Sequence, residues 1–374
     1  MRLLIQKFGG TSVATPEARA FVHQKIREAR NEGWSVVAVV SAMGRRGEPY
    51  ATDTLLDVFS GGKPLPNSRE QDGIYACGEM ISGAVIANEL QQQGVDCVFL
   101  NGAQAGIVTD SLYGSAAIQT VRTEAIRACL ERGLVVLIAG GQGATEQGDF
   151  TSIGRGGSDT TACALGYYLD ADEVRIYTDV DGIYTADPRL IPDARPIPYI
   201  SYEQCQRLAE CGAKVIHPKA VAFSRKGGRD VLSVRSTFTD GPGTKIGQEE
   251  SIYTGITATK GVFCIEPPQE GVPEESVILR CTDGPSPALF VRQDSGASAS
   301  LFAGGGPRDV VFLVGQKVRD ALRHVVLSDQ EVELVRFAGS ATAAVAAKPG
   351  CCEALISRLH QELCVREAIC GNLS

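Results

Sequence analysis

The sequence predicts an α/β protein: a three-layer αβα sandwich on a mostly parallel sheet, with a smaller α+β region after it. Three observations carry this. Apolar runs of strand length, such as Val36 to Val40 and Leu134 to Ala139, alternate with helix-length segments over residues 2 to about 246. Strands apolar on both faces belong to parallel sheets that helices cover on both sides. Glycine-rich turns bearing a cation and a hydroxyl, Lys7-Phe8-Gly9-Gly10-Thr11-Ser12 and Gly154-Arg155-Gly156-Gly157-Ser158-Asp159, stand where strands or short loops hand over to helices. Around Gly241-Pro242-Gly243-Thr244 the alternation gives way to short strands.

Element by element, Leu3 to Lys7 reads as the first strand. Thr15-Pro16-Glu17 then supplies an N-cap, an N1 proline and an early acidic residue for a helix ending near Gly33. Strands follow at Ser35 to Ser41 and Val95 to Leu100, with a helix from Glu70 to Gln93 between them. A helix from Ala116 to Arg132, closed by Gly133, leads into the strand Leu134 to Ala139. Asp159 to Leu169 is helical and Glu173 to Thr178 is a strand. Helices at Tyr202 to Glu210 and Pro218 to Lys226, then the strand Val231 to Arg235, complete a first domain over residues 1–246. Ligands of such sheets gather at the carboxyl ends of strands, where Lys7, Ser41 and Thr178 fall.

The second region, residues 250–374, holds strands at Val262 to Ile265, Ala288 to Arg292, Val310 to Val314, Val332 to Phe337 and Ala341 to Ala346. Helices at Gln316 to Val326 and Cys351 to Leu363 follow strands, so the region reads as two β/α units, the second the shorter. Gly304-Gly305-Gly306-Pro307 reads as a loop.

Composition excludes several classes. A hydrophobic content of 44% with 21% charged residues is that of an ordinary soluble protein. A net charge of -8 argues against a general nucleic-acid surface, though not against one anion held by local cations. No apolar run is long enough to span a bilayer, and no signal-peptide architecture follows the first strand. The 12 cysteines are scattered and form no C-x-x-C pair, which fits buried thiols of a cytoplasmic protein.

The two glycine turns are the chemistry-bearing features. Successive backbone N–H groups at such a turn, with the positive end of a helix dipole, form an anion site. Two of them suggest an enzyme that brings two negative ligands together. Neither has the spacing of a Walker A loop or a dinucleotide fingerprint. Asp179 and Asp181 stand two residues apart, but the later ligands of an EF-hand are absent. Ser158 and Asp159 also fit as caps of the following helix. Thr52 reads equally as a helix N-cap or a binding hydroxyl. Glu79 reads as a binding carboxylate, or as one in an N-terminal turn or facing solvent. Lys7 and Lys214 have plain alternatives as a solvated strand-end lysine and a helix-end lysine.

Seven motifs occur in order: Lys7-Phe8-Gly9-Gly10-Thr11-Ser12-Val13, Ser41-Ala42-Met43, Gly78-Glu79, Gly154 to Asp159, Tyr177-Thr178-Asp179-Val180-Asp181-Gly182, Ala186-Asp187-Pro188-Arg189 and Gly212-Ala213-Lys214-Val215. Together they closely resemble aspartate kinase, of the amino-acid kinase superfamily, over about two-thirds of the chain. Gly47-Glu48-Pro49-Tyr50-Ala51-Thr52-Asp53 resembles the form in bacterial single-function aspartokinases. The resemblance implies the amino-acid kinase fold and ATP-dependent phosphorylation of the L-aspartate β-carboxylate to 4-phospho-L-aspartate, for the lysine, threonine and methionine (diaminopimelate) branch. That carboxylate is ionised at neutral pH and needs no general base, so catalysis rests on alignment and charge neutralisation.

The resemblance also implies roles. Lys7 sits on the transferred phosphoryl group, with the Gly9 and Gly10 amides beside it and Asp159 orienting Lys7. Arg155 grips the substrate α-carboxylate in a bidentate fork that lysine could not reproduce. Glu79 binds the substrate ammonium, and Thr11, Ser41, Thr52, Gly157 and Ser158 complete the substrate side. Thr178, Asp179, Tyr184, Arg189 and Lys214, with Lys7, hold ATP, whose own oxygens carry Mg²⁺ without a protein side chain. The second region stands where the family has paired ACT domains and implies a homodimer. Its usual turn and helix are replaced by Pro267-Pro268-Gln269-Glu270-Gly271-Val272-Pro273, which cannot start an ordinary helix. Weak or absent inhibition by lysine and threonine is therefore expected. Two other functions remain open: a kinase of the same fold acting on another carboxylate or carbamate, and a catalytically silent small-molecule sensor.

Overall fold

The computed structural model describes residues 2–61, 63, 68–213, 216–228, 231–266, 272, 276–281, 283, 287–292 and 306–365. The chain divides into two compact units, Met1–Gly182 with Val215–Gln248, and Ile183–Lys214 with Glu249–Ser374. Residues 183–214 thus group with the second unit, a division that differs in this segment from a single break near residue 246.

The first unit runs β1 (Leu3–Phe8), α1 (Gly10–Val13), α2 (Pro16–Asn31), β2 (Ser35–Val40), α3 (Thr52–Ser60), α4 (Arg69–Gln92), β3 (Cys97–Leu100), β4 (Ile107–Thr109), β5 (Ile118–Val121), α5 (Glu124–Glu131), β6 (Val135–Ala139), β7 (Gln142–Ala144), β8 (Phe150–Ser152), α6 (Gly157–Leu169) and β9 (Glu173–Thr178). Within the second unit come β10 (Tyr199–Ser201) and α7 (Tyr202–Glu210). The first unit then resumes with α8 (Pro218–Lys226), β11 (Leu232–Ser236) and β12 (Thr244–Gly247).

Its main sheet places six parallel strands in the order β11-β9-β1-β2-β6-β3, with β12 antiparallel on β11. Leu4, Phe8, Val36, Ala38 and Val40 pack with Val22 and Ile26 of α2 and Ile86 and Leu90 of α4 in one core, while Ile5, Val37 and Val39 are equally buried. Burial on both faces is what the continuous apolar runs require. Thr15 caps α2 by accepting the Ala18 N–H at 3.2 Å, Pro16 opens the helix, and Gly33 at φ +83° follows its end.

A four-stranded sheet, β5-β4-β7-β8, was not legible in the sequence. It corrects the helix expected from Ala116 to Arg132, whose first half is β5, paired antiparallel with β4. Ile118, Thr120 and Val121 are β-branched and stiff at χ1, which favours the strand.

The second unit is built on one antiparallel sheet rather than two β/α units. Its strands are β13 (Gly255–Ile265), β14 (Val277–Cys281), β15 (Ala288–Arg292), β16 (Arg308–Val314), β17 (Val332–Ala338) and β18 (Thr342–Ala347). They lie in the order β14-β15-β13-β16-β18-β17. β13 begins earlier than expected and breaks register between Thr259 and Val262, beside Gly261 at φ +68°. The helices are α9 (Val318–Leu322), shorter than expected and without a side-chain cap, and α10 (Cys352–His360), whose backbone widens to π-type bonding over Gln361–Val365. Ala186 and Ile191 pack in this unit's core with Val311, Leu313, Leu355 and Leu359, which explains why their segment groups here. Of the proline-flanked segment only Val272 is described, and Gly304 and Gly305 also lie outside the described residues. No disulfide joins the described cysteines, and no described helix is long and apolar enough to cross a membrane.

Candidate active site

Parallel register brings the carboxyl ends of β2, β1 and β9 side by side, Lys7 lying opposite Val39 and Ile176. Past the pair Phe8–Val40, Ser41 donates its N–H to the Phe8 carbonyl at 3.1 Å and its hydroxyl to Ser158 at 3.0 Å. Lys7 Nζ meets Asp159 Oδ1 at 2.6 Å, both side chains nearly buried. One residue from β1, one from the loop after β2 and two from the first turn of α6 are thereby joined.

Neither Ser158 nor Asp159 caps α6, as the alternative reading had allowed. The cap position is Gly156, at φ +71°, and no side chain caps the N–H groups of that end. A Cβ on Gly156 would lie 2.3 Å from the His217 ring, so glycine is required there on two counts. With no side-chain cap, the helix end presents its dipole toward the turn. At the other glycine turn the constraint falls on Gly10, where a Cβ would stand 3.0 Å from the Ala42 carbonyl oxygen. Gly9 is looser, with Lys7 Nζ 3.5 Å from its notional Cβ.

Glu79 comes from the middle of α4 and is 2% exposed. Gly78 beside it lets that helix close on the loop, since a Cβ there would be 2.9 Å from the Ala42 methyl. The Thr52 hydroxyl donates to Glu79 Oε1 at 3.4 Å, while Oε2 has no hydrogen-bond partner among the described residues. Burial pushes the carboxyl up to about 8, against the opposing pull of backbone N–H groups and Thr52. Thr52 is the first residue of α3 and Ala51 is its cap, so the threonine hydroxyl is turned to Glu79 rather than to the helix backbone.

These side chains wall a cavity of about 520 Å³ that includes Lys7, Gly10, Ser41, Thr52, Glu79, Gly157, Ser158 and Asp159. Thr11 lies in α1, half-buried and off the cavity wall. Arg155 is exposed, off the wall, and without an ion pair among the described residues. Thr178 ends β9 and donates to Asp179 Oδ1 at 3.1 Å. Tyr184 and Arg189 belong to the second unit. There Tyr184 bridges to Pro196, and Arg189 forks onto Asp187 at 2.9 and 2.7 Å. Lys214 lies outside the described residues.

Three residues escaped the sequence reading. Arg45 and Arg46 line the same cavity. Asp72, in the first turn of α4 and 1% exposed, accepts the N–H groups of Gly114 at 3.0 Å and Ser152 at 2.7 Å. Ser152 in turn accepts the Gly154 N–H at 3.1 Å, so Asp72 braces the strand that enters the glycine turn. Burial raises the Asp72 carboxyl, and the two N–H groups act the other way. The only signal was an acidic residue in the first turn of α4, which also suits a dipole contact.

Comparison with known proteins agrees with this geometry. The model of the family described as Amino acid kinase family matches residues 2–232. Aspartokinase 1 of Bacillus subtilis (strain 168) is 44% identical over 272 residues, 70% of this chain and 67% of that protein. The aspartokinase of Geobacillus stearothermophilus is 43% identical over 252 residues, 67% of this chain and 60% of that protein. Among solved structures, E. coli aspartokinase III in complex with aspartate and ADP superposes with a TM-score of 0.78 at 21% identity, covering 97% of this chain and 100% of that one. The match spans about three-fifths to two-thirds of these sequence relatives. Since it takes in the whole run from β1 to the start of β11, with every residue of the Lys7–Asp159–Glu79 cavity inside it, the chain belongs to the amino acid kinase family, on its aspartokinase branch.

Proposed function

We propose that the chain transfers the γ-phosphoryl group of ATP to the β-carboxylate of L-aspartate, forming 4-phospho-L-aspartate for the lysine, threonine and methionine branch. The observation that carries this reading is the 2.6 Å Lys7–Asp159 pair in one cavity with the buried carboxylate of Glu79. A lysine held at a strand end by a carboxylate is a positioned cation for a transferring phosphoryl group. A buried carboxylate with one unpartnered oxygen is a receptor for an ammonium. Relatives named aspartokinases, and a fold neighbour holding aspartate and ADP, support the same assignment.

On this reading Ser41, Thr52, Ser158 and Gly157 line the acceptor side, with Thr11 and Arg155 as further substrate contacts. Gly9 and Gly10 let backbone amides approach the phosphoryl oxygens. Thr178 and Asp179 face the nucleotide, with Tyr184, Arg189 and Lys214 as its further ligands. On this reading Mg²⁺ is carried by ATP oxygens and water, and no step rests on a protein ligand to it. Residues 1–246 are assigned to catalysis and 250–374 to an ACT-like region supporting a homodimer, and the protein is placed in the cytoplasm.

A hydroxamate assay with aspartate, glutamate and N-acetylglutamate tests the assignment. Product from aspartate alone is the expected result. Product from another acceptor moves the chain to a different kinase of this fold, and none from any makes it a sensor. Arg155→Lys keeps the charge and loses the fork, so the KM for aspartate is expected to rise several-fold with little change for ATP. Steady-state titration of each substrate decides it, and an effect confined to ATP moves Arg155 to the nucleotide side.

A further inference from the structure

The geometry points to Arg45 as a catalytic cation that exchanges Asp179 for the phosphoryl group in flight, an inference resting on the phosphoryl-transfer reading above. Two adjacent arginines line the cavity, and their surroundings differ. Arg46 forks onto Asp57 of α3 through Nε and Nη2 at 3.0 and 2.6 Å, which commits that edge of its guanidinium. The Arg45 guanidinium stands 3.6 Å from Asp179 Oδ2, beyond hydrogen-bond distance, and makes no hydrogen bond among the described residues.

Its backbone, by contrast, is fixed. The Arg45 N–H donates to Glu48 Oε2 at 2.6 Å and the Gly47 N–H to Thr54 at 2.9 Å. The Gly44 N–H donates to the Gly10 carbonyl at 3.2 Å, which ties the segment to the first glycine turn. Gly44 and Gly47, at φ +83° and +97°, make the bends that bracket the two arginines. A rooted backbone under an uncommitted side chain, 75% exposed, is the arrangement of a cation that can change partners.

Sheet order supplies the direction. Arg45 springs from the loop after β2, whereas Asp179 follows β9, and β1 lies between them. The Gly44 bond to the Gly10 carbonyl brings this loop to the turn after β1, and from there the Arg45 side chain reaches past the end of β1 toward Asp179. Glu79, Thr52 and Ser41 stand on the β2 side of that crossing and Thr178 on the β9 side. A group passing from nucleotide to acceptor therefore travels beneath Arg45.

Charge calls for such a residue. Lys7 is already paired with Asp159 and Arg46 with Asp57, so among the described wall cations Arg45 is the one with no partner within hydrogen-bond distance. In transfer the bond from the γ-phosphorus to the ADP oxygen breaks as the bond to the acceptor carboxylate oxygen forms. Charge spreads over the three equatorial oxygens meanwhile. Arg45 donates to those oxygens and returns to Asp179 when the product leaves.

The test uses the full chain, with Arg45→Ala and Arg45→Lys, and whichever acceptor the wild type phosphorylates. The alanine variant is expected to lose ~10²-fold in kcat with acceptor KM within about 2-fold, and lysine to recover part of it. Affinity for ADP with aluminium fluoride and acceptor should fall by a similar factor, while affinity for ADP alone stays unchanged. Unchanged kcat overturns the proposal, as does equal weakening of ADP and the fluoride complex, which would mark uniform binding. Because the acceptor is chosen by the wild type, a wrong acceptor assignment leaves this test intact. Wild type that phosphorylates none of them overturns both readings.

Discussion

Lys7→Ala is expected to lower kcat by roughly 10²- to 10³-fold while ATP binding stays measurable, the loss typical when one preorganised contact to a transition state goes. The basis is the position of the ammonium, at the end of a central strand and 2.6 Å from Asp159. Held there by a carboxylate that is itself fixed in the first turn of α6, it needs no reorganisation when charge develops on the transferring group. Because both partners are nearly buried, removing one leaves Asp159 without its counter-ion, so a thermal melt must accompany the kinetics. Single-turnover rates at saturating ATP then isolate the chemical step. Near-normal turnover by a folded variant sinks the assignment. Lys7→Arg is a useful companion, since it keeps the charge while losing the point geometry.

The sequence showed the parts of this molecule that obey one strong rule at a time. The central strands were legible because the runs around Val37 and Leu137 are apolar on both faces, which only a covered parallel sheet tolerates. The helix from Pro16 was legible because cap, proline and closing glycine all agree. What failed were short elements whose period is never expressed. β4, β7 and β8 have 3 residues each, and β5 was absorbed into the neighbouring helix because Ile118 and Val121 also suit a helical spacing. Their pairing is decided by long-range partners, as when Ala116 N–H finds the Ser152 carbonyl at 2.8 Å.

The same divide runs through the site. Lys7, Ser41, Ser158 and Asp159 sit on turns whose glycines announce them, and the fold brings these four together. Glu79 was read from the Gly-Glu pair, but its burial and its Thr52 contact depend on how α3 and α4 meet. Arg45 and Arg46 carried no local mark, because an arginine pair in a loop looks like solvated surface. Only the juxtaposition with Asp57 and Asp179 separates a brace from an uncommitted cation. In the second unit, strand existence was legible and sheet membership was not, since strands from both supposed β/α units enter one ladder through β13 and β16.

For aspartate, kcat/KM is expected to rise about tenfold per pH unit below pH 8 and level off above it, because this ratio reports ionisations of the free enzyme. In the free enzyme burial holds the Glu79 carboxyl up to about 8, so near neutrality most of it is protonated and unable to receive an ammonium. Glu79→Gln should remove the slope and cost ~10²-fold in kcat/KM on the plateau, the scale of one charged hydrogen bond in a desolvated site. Stability should move the other way. The folded value lies above the ordinary 4.5, so the folded state retains a proton that the unfolded chain has released. The contribution is full below the unfolded value and is lost as pH rises toward about 8. Wild type should therefore lose roughly a few kcal/mol relative to Glu79→Gln between pH 4.5 and 8. Denaturant unfolding of both proteins at pH 5 and pH 8.5 checks this, alongside the pH–rate profile. A flat wild-type profile, or a glutamine variant with the same slope, would show that Glu79 is not the group that meets the substrate. If the expected pattern holds, the unpartnered Oε2 is a stability cost that the fold carries so that the carboxylate can receive an ammonium.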